Sequence, residues 1–183
     1  VNVTRAEALR LLSRGGAPDA RATVRRASTG AAPSALQHAV ACSLAQRIRG
    51  GRGPGHSGGS GGRRADLGGQ FFRSSWESNY ARYLRFLEGQ GKITGWAYEA
   101  ETFVFTGVTG GTGRYTPDFR VGYPDGHHEW HEVKGWMDAK SRVRLARMKA
   151  FFPDERVVLI DQDWFREAQR LLAGAIPGWE RRA

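Results

Sequence analysis

Residues 115–135 read YTPDFRVGYPDGHHEWHEVKG. Pro124-Asp125-Gly126 in its middle is a turn: proline presets one φ, aspartate bonds its own backbone, and glycine accepts positive φ. The runs on either side, 115–123 and 127–134, are rich in aromatic and β-branched residues and read as two strands of a β-hairpin. Pro117 lies near the first strand's start, where a missing N–H is tolerated. Side chains alternate along a strand, so Glu132 and Lys134 share one face and Val133 points to the other, toward a core. Folding back at 124–126 carries Asp118 alongside them. The stretch therefore predicts a hairpin with two carboxylates and an ammonium converging at its open end.

Working outward, Trp76, Tyr80, Leu84 and Leu87 recur at helical spacing, so residues 75–89 form an amphipathic helix that ends near Gly89 or Gly91. Residues 92–98 and 101–106 carry Ile, Trp, Tyr, Phe and Val and read as strands, followed by a Gly-rich turn at 109–113. Beyond the hairpin, Asp138 caps a basic helix over 138–150. Residues 156–160 form a short apolar strand, expected to be buried. A last helix covers 163–173. The order α-β-β-β-β-α-β-α belongs to the α/β class, with a mixed central sheet flanked by helices.

Residues 1–70 differ in kind. They are poor in aromatics and rich in Gly, Ala, Arg and Ser, and carry 11 Lys+Arg against 3 Asp+Glu; residues 71–183 carry 17 against 15. Most of the net +10 thus lies in the N-terminal part. Residues 1–49 read as a basic arm with one or two short helices. One opens on the capping box Thr4-Arg5-Ala6-Glu7 and runs to about Ser13; the other spans 35–49, with Leu36, Val40, Leu44 and Ile48 on one stripe. Residues 50–70 read as a Gly/Ser-rich linker, and 71–183 as the folded domain. The charge invites a polyanion such as DNA, the arm being either a solubilising tail or a DNA grip. Cys42 is the single cysteine, which excludes an internal disulfide and fits a reducing compartment. Nothing approaches the roughly 18–20 apolar residues that span a bilayer, and no signal-peptide plan is present. A cytoplasmic location is expected.

Phosphodiester hydrolysis needs this set of side chains. Water must lose a proton, and charge on the transition state must be neutralised. Asp118 and Glu132 can hold a hard divalent cation such as Mg²⁺, which keeps several of its waters, and Glu77 from the preceding helix can complete the shell. Lys134 can position water or stabilise charge at the scissile phosphate. Each residue also has a plainer reading. Asp after Pro is common turn chemistry, Glu-x-Lys fits a salt-bridged strand face, and Ser74-x-x-Glu77 is a capping box.

Pro117-Asp118 followed by Glu132-Val133-Lys134 resembles the signature of the PD-(D/E)XK nuclease superfamily. The closer resemblance is to the phage-type endonuclease I family of Holliday-junction resolving enzymes. It rests on Arg73-Ser74 with Glu77, on Tyr115-Thr116-Pro117-Asp118-Phe119, and on Glu132-Val133-Lys134-Gly135 followed by a charged helix and a Val/Ile strand. It covers residues 72–161. It implies a restriction-endonuclease-like core and a Mg²⁺-dependent DNA endonuclease, with Mn²⁺ able to substitute, in a bacterial or phage-infected cell. Glu77, Asp118 and Glu132 would ligate metal, and Lys134 would assist the attacking water. Branched or junction DNA would be the substrate. Junction resolution cuts two strands, which implies a homodimer. The arm before Glu77 has no counterpart in that family.

The helix after the motif carries Lys140, Arg142, Arg144, Arg147 and Lys149. Lys140 and Arg144 share a face and, with Arg73, are the candidate DNA-backbone contacts. His127, His128 and His131 suggest zinc, but no cysteine joins them and their spacing falls on a strand, so they are read as non-ligands. Glu99 and Glu101 read as surface charges. Gly110-Gly111-Thr112-Gly113 precedes no helix and is not a phosphate loop. Trp96 and Trp130 read as packing residues, and Trp136 as the tryptophan most open to DNA. Two rival readings are a transposase-type or site-specific nicking endonuclease and a non-catalytic DNA-binding module on a nuclease fold.

Overall fold

A computed structural model describes residues 23–26, 61–109 and 111–181. The two helices expected in the arm lie outside the described residues. The described elements are strands β1 (Thr23–Arg26), β2 (Gly62–Arg64) and β3 (Gln70–Phe72), helix α1 (Ser75–Gly89), strands β4 (Gly95–Tyr98), β5 (Glu101–Val104), β6 (Arg114–Tyr115), β7 (Phe119–Gly122) and β8 (His128–Val133), helix α2 (Ala139–Phe151), strand β9 (Val157–Ile160) and helix α3 (Gln162–Leu172). A 3-10 turn, Ala65–Leu67, links β2 to β3.

The main sheet runs β4-β7-β8-β9. Its β4–β7 and β7–β8 pairs are antiparallel and β8–β9 is parallel, so the sheet is mixed. Parallel neighbours need a crossover, and α2 supplies it. The expected hairpin is present with the register Phe119↔His131 through Gly122↔His128. Gly126, at φ 89°, makes the turn, in a conformation that favours glycine.

Helices α1 and α3 cover one face of this sheet, where Tyr80, Leu84, Phe119, Val121, Val133, Ile160 and Phe165 form a buried cluster. On the other face Trp130 packs with Phe103, Phe105, Tyr115, Met148 and Phe151, contributed by β5 and its end, β6 and α2. There a second sheet, β1-β5-β6, lies against the first. Trp96 and Trp130 are core residues, as expected.

Three expectations are corrected. The linker does not reach residue 70, because 62–72 form a β-hairpin whose Leu67 is buried in the main core. The strand read over 115–123 is two strands in different sheets, separated at Thr116-Pro117-Asp118. Pro117 is fully buried there and cannot donate to a ladder, so the chain changes sheets at that point. Strand β9 is an edge strand rather than a buried one: Leu159 is 41% exposed, and only Ile160 of its four residues is buried. Residues 23–26, which lie in the basic arm between its two expected helices, pair in parallel with β5.

Candidate active site

Each site residue is placed by a local device. Helix α1 starts at Ser74, whose Oγ accepts the Glu77 N–H (3.2 Å) while Ser74 Oγ donates to Glu77 Oε1 (3.0 Å). Glu77 Oε2 also accepts the Arg73 N–H (3.0 Å) and the Tyr98 hydroxyl. Glu77 is thus a capping residue whose carboxylate is buried. Asp118 ends the passage between sheets, and Oδ2 accepts the Val133 N–H (2.7 Å) in place of a ladder bond. Continuing the β7–β8 register by one step sets Asp118 opposite Glu132. Lys134 follows β8, held by its N–H to the Ile160 carbonyl (2.9 Å).

Arg73, Glu77, Asp118, Glu132, Lys134 and Arg144 all line one cleft of about 530 Å³. Six of the seven residues singled out from sequence therefore meet. Lys140 does not; it is exposed at the start of α2 and outside the cleft. Arg144 reaches over the cleft's rim to the Gly111 carbonyl (3.0 Å), and Arg147 donates to the Thr112 carbonyl (2.8 Å), so α2 clamps the Gly-rich turn beside the site.

Glu132 and Asp118 are buried at 5% and 3% exposure. Burying a carboxylate is costly unless it is paired. Lys134 Nζ lies 2.9 Å from Glu132 Oε1, and the buried Tyr115 hydroxyl donates to Glu132 Oε2 (3.0 Å). Arg73 Nη2 donates to Asp118 Oδ1 (3.1 Å) and also pairs with Glu99. Burial first, then the negative charges of Glu132 and Glu77, push Asp118 up to about 8 against the pull of Lys134 and the Val133 N–H. Burial alone would depress the Lys134 ammonium; Glu132 and Asp118 outweigh it and leave its pKa above the ordinary lysine value. Lys134 is thus held as an ammonium ion-paired with Glu132 at the cleft wall.

Three carboxylates are hard oxygen ligands, the kind Mg²⁺ and Mn²⁺ take and softer metals do not favour. Among the described residues no group of three or more His, Cys, Asp or Glu side chains is placed to hold a metal ion. The carboxylate oxygens are instead shared with the cations and hydroxyls just described, which supply the positive charge and hydrogen bonds that the buried acids require.

Sequence reasoning missed Tyr98, Tyr115, Arg114, Thr116 and Glu99. Tyr98 and Tyr115 hold two of the carboxylates, while Arg114 and Thr116 line the cleft. Tyr115 carried a signal, since it stands three residues before Asp118 in the stretch Tyr115-Thr116-Pro117-Asp118. Glu99 does not act as a free surface charge: it engages Arg73, and its N–H donates to the Asp118 carbonyl (2.8 Å). The three histidines have separate partners. His131 is buried between the Tyr80 hydroxyl (2.6 Å) and Glu129 (3.2 Å), His128 meets Glu155 (3.2 Å), and His127 pairs with Asp125. Among the described residues no helix is long and apolar enough to cross a membrane. Compared with protein-family models, curated proteins and solved structures, the chain gives no match.

Proposed function

We propose that the chain is a metal-dependent DNA endonuclease with a PD-(D/E)XK-type core. The observation that carries this reading is the apposition, across one hairpin, of buried Asp118 and Glu132 with the Lys134 ammonium, on the wall of a cleft that also presents Arg73, Arg114 and Arg144. Two carboxylates alone could be structural. Two buried carboxylates opening on a cationic cleft form a site for a phosphate and the cation that neutralises it.

A bound Mg²⁺ would supply Lewis acidity and a water acidified for attack. The protein's own groups do the rest. Arg114 and Arg144 draw the phosphate backbone into the cleft. Arg73, half-exposed and tied to Asp118 and Glu99, is free at its outer side to meet a phosphate oxygen. Lys134 stays protonated and donates to a phosphate oxygen or to the attacking water as negative charge builds. Asp118 is held by the Val133 N–H, so its carboxyl is pre-positioned and reorganises little. In the metal-free site its raised pKa lets it keep a proton near neutrality, a proton that must leave before the carboxylate can serve as a ligand.

The substrate reading that goes with this site is DNA, branched or junction DNA in particular, cut by a homodimer in a bacterial or phage-infected cell. Cleavage of a labelled panel (four-way junction, Y-fork, nicked duplex, linear duplex, single strand), with and without Mg²⁺, tests it. Asp118→Ala, Glu132→Ala and Lys134→Ala should each abolish Mg²⁺-dependent cutting and leave salt-sensitive binding in place. Cutting by Asp118→Ala and Glu132→Ala at the wild-type rate would refute the assignment. Binding without cutting by wild type would identify a DNA-binding module on this fold.

A further inference from the structure

A second cleft of about 260 Å³ adjoins the first, and Lys134 lines both. Its walls include Trp136, Leu159, Arg142 and Gln162, together with Asp161, whose Oδ1 is taken up in capping α3, and Asp163, which pairs with Arg166. Among the described residues Trp136 and Leu159 are two of the four large apolar side chains left exposed, at 47% and 41%. Their exposure has a structural origin. Trp136 sits on the short link between β8 and α2, which is pinned at both ends. At one end Gly135 packs so closely on the Trp76 ring that an added Cβ would lie 3.2 Å from it. At the other, Asp138 caps α2 by accepting the Ser141 N–H (2.6 Å). On the inner side of the link Trp76 packs against Gly135 and stacks on Phe165, with ring centroids 4.3 Å apart.

We propose that this second cleft receives one unpaired nucleobase of the substrate, stacked on Trp136 and packed against Leu159. The inference rests on the nuclease reading of the neighbouring cleft and specifies the kind of DNA that site takes. Three observations carry it. The shared Lys134 wall sets the pocket directly beside the proposed site for the scissile phosphate, so a base next to that phosphate is within reach. The volume suits a single planar base and is too small for a helix or strand of a partner protein. The rim mixes an aromatic face with Gln162, which offers both a donor and an acceptor, and Arg142, which offers a cation; this is the usual make-up of a single-strand stacking platform. A base inside a duplex cannot enter, so the pocket selects DNA with an unpaired nucleotide at the cut, as at a branch point, a fork or a single strand.

The test separates this inference from the nuclease reading. A short single-stranded oligonucleotide carrying 2-aminopurine is titrated with the full chain in Ca²⁺, and fluorescence quenching reports stacking without requiring turnover. Wild type should bind and quench. Trp136→Ala should weaken binding by about tenfold and lose most of the quench, and Trp136→Phe should recover much of both. Quenching unaltered in Trp136→Ala, binding without quenching, or no binding by wild type would each overturn the pocket and leave the exposed indole to some other contact, such as a protein partner. Cleavage of linear and branched substrates by wild type in Mg²⁺ is scored separately. Quenching without any cutting keeps the pocket and removes the nuclease; cutting without quenching does the reverse.

Discussion

Replacing Asp118 by Asn should stabilise the metal-free protein at alkaline pH while destroying the site it belongs to. Asp118 is buried, and its carboxyl is raised from 3.8 to about 8 by burial and by Glu132 and Glu77. A carboxyl raised on folding retains its proton in the folded state. Its contribution is therefore fully present below the unfolded pKa and is lost as pH rises through 8. At about 1.36 kcal/mol per pH unit the ceiling on that loss is roughly 5–6 kcal/mol. Three carboxylates share the repulsion, so neutralising one recovers only part of it. Asn also gives up either the Val133 N–H or the half-exposed Arg73 contact, the latter worth at most about 1 kcal/mol. The net expectation at pH 8.5 is a gain of about 2–3 kcal/mol, or about 4–10 °C in Tm for a chain of this size. At pH 4, where Asp118 is protonated in the folded protein, wild type and variant should differ by less than about 1 kcal/mol. Thermal and urea unfolding from pH 4 to 8.5 in EDTA, repeated in Mg²⁺, would measure this. Mg²⁺ should close the gap at pH 8.5 by stabilising wild type and not the variant. A variant less stable than wild type at pH 8.5 in EDTA, or a wild-type stability that does not fall between pH 5 and 8.5, would refute the argument that buried repulsion is stored at this site.

Further expectations follow from the same geometry. Mg²⁺ affinity of wild type, measured by calorimetry, should strengthen between pH 6 and 8 by up to about tenfold per unit as the Asp118 proton is displaced, then level off. Tyr115→Phe removes the donor to Glu132 Oε2 and leaves a buried acceptor unsatisfied; urea unfolding should show a loss of about 1–3 kcal/mol. Ser74→Ala removes the α1 cap that also fixes Glu77 and should cost about 1 kcal/mol, read as a Tm lower by about 2–4 °C. Gly135→Ala places a Cβ 3.2 Å from the Trp76 ring; it should cost about 1–3 kcal/mol by forcing the two apart and should reduce quenching in the 2-aminopurine titration.

What could be read from the chain alone follows a physical division. The hairpin, helix α1 and helix α2 announce themselves because their determinants are local: a Pro-Asp-Gly turn, a Ser74 cap and a stripe at helical spacing, an Asp138 cap. Asp118, Glu132 and Lys134 all lie on that one hairpin, so alternation of side chains was enough to bring them together. The elements that were misread depend on residues far away in sequence. Residues 62–70 read as part of a Gly-rich linker, and what folds them is distant in sequence: Leu67 is buried in the main core, and the segment is tied down by Glu180. It accepts from Arg64 Nε (2.6 Å) and Arg82 Nη1 (2.8 Å), and Arg82 in turn holds Asp66 (2.7 Å), so the chain's last described turn fastens its first hairpin to α1. Strand β1 is a similar case, since Arg25 finds Glu101 (3.0 Å) and Glu155 only in the folded state.

The supporting shell of the site falls on the illegible side of that division, with a consequence for the chemistry. Glu77 is held by Tyr98 from the end of β4, and Glu132 by Tyr115 from β6, which belongs to the other sheet. Glu99, at the corner between β4 and β5, takes a left-handed φ of 46°, alone among the described non-glycine residues. Such a conformation persists only where its surroundings enforce it. Its N–H bond to the Asp118 carbonyl and its ion pair with Arg73 are that enforcement. Asp118, Glu132 and Lys134 come from one hairpin, but their orientation depends on a corner where the two sheets meet. The geometry of the cleft is therefore coupled to the packing between the sheets, and a substitution at that interface should alter the site without touching Asp118, Glu132 or Lys134.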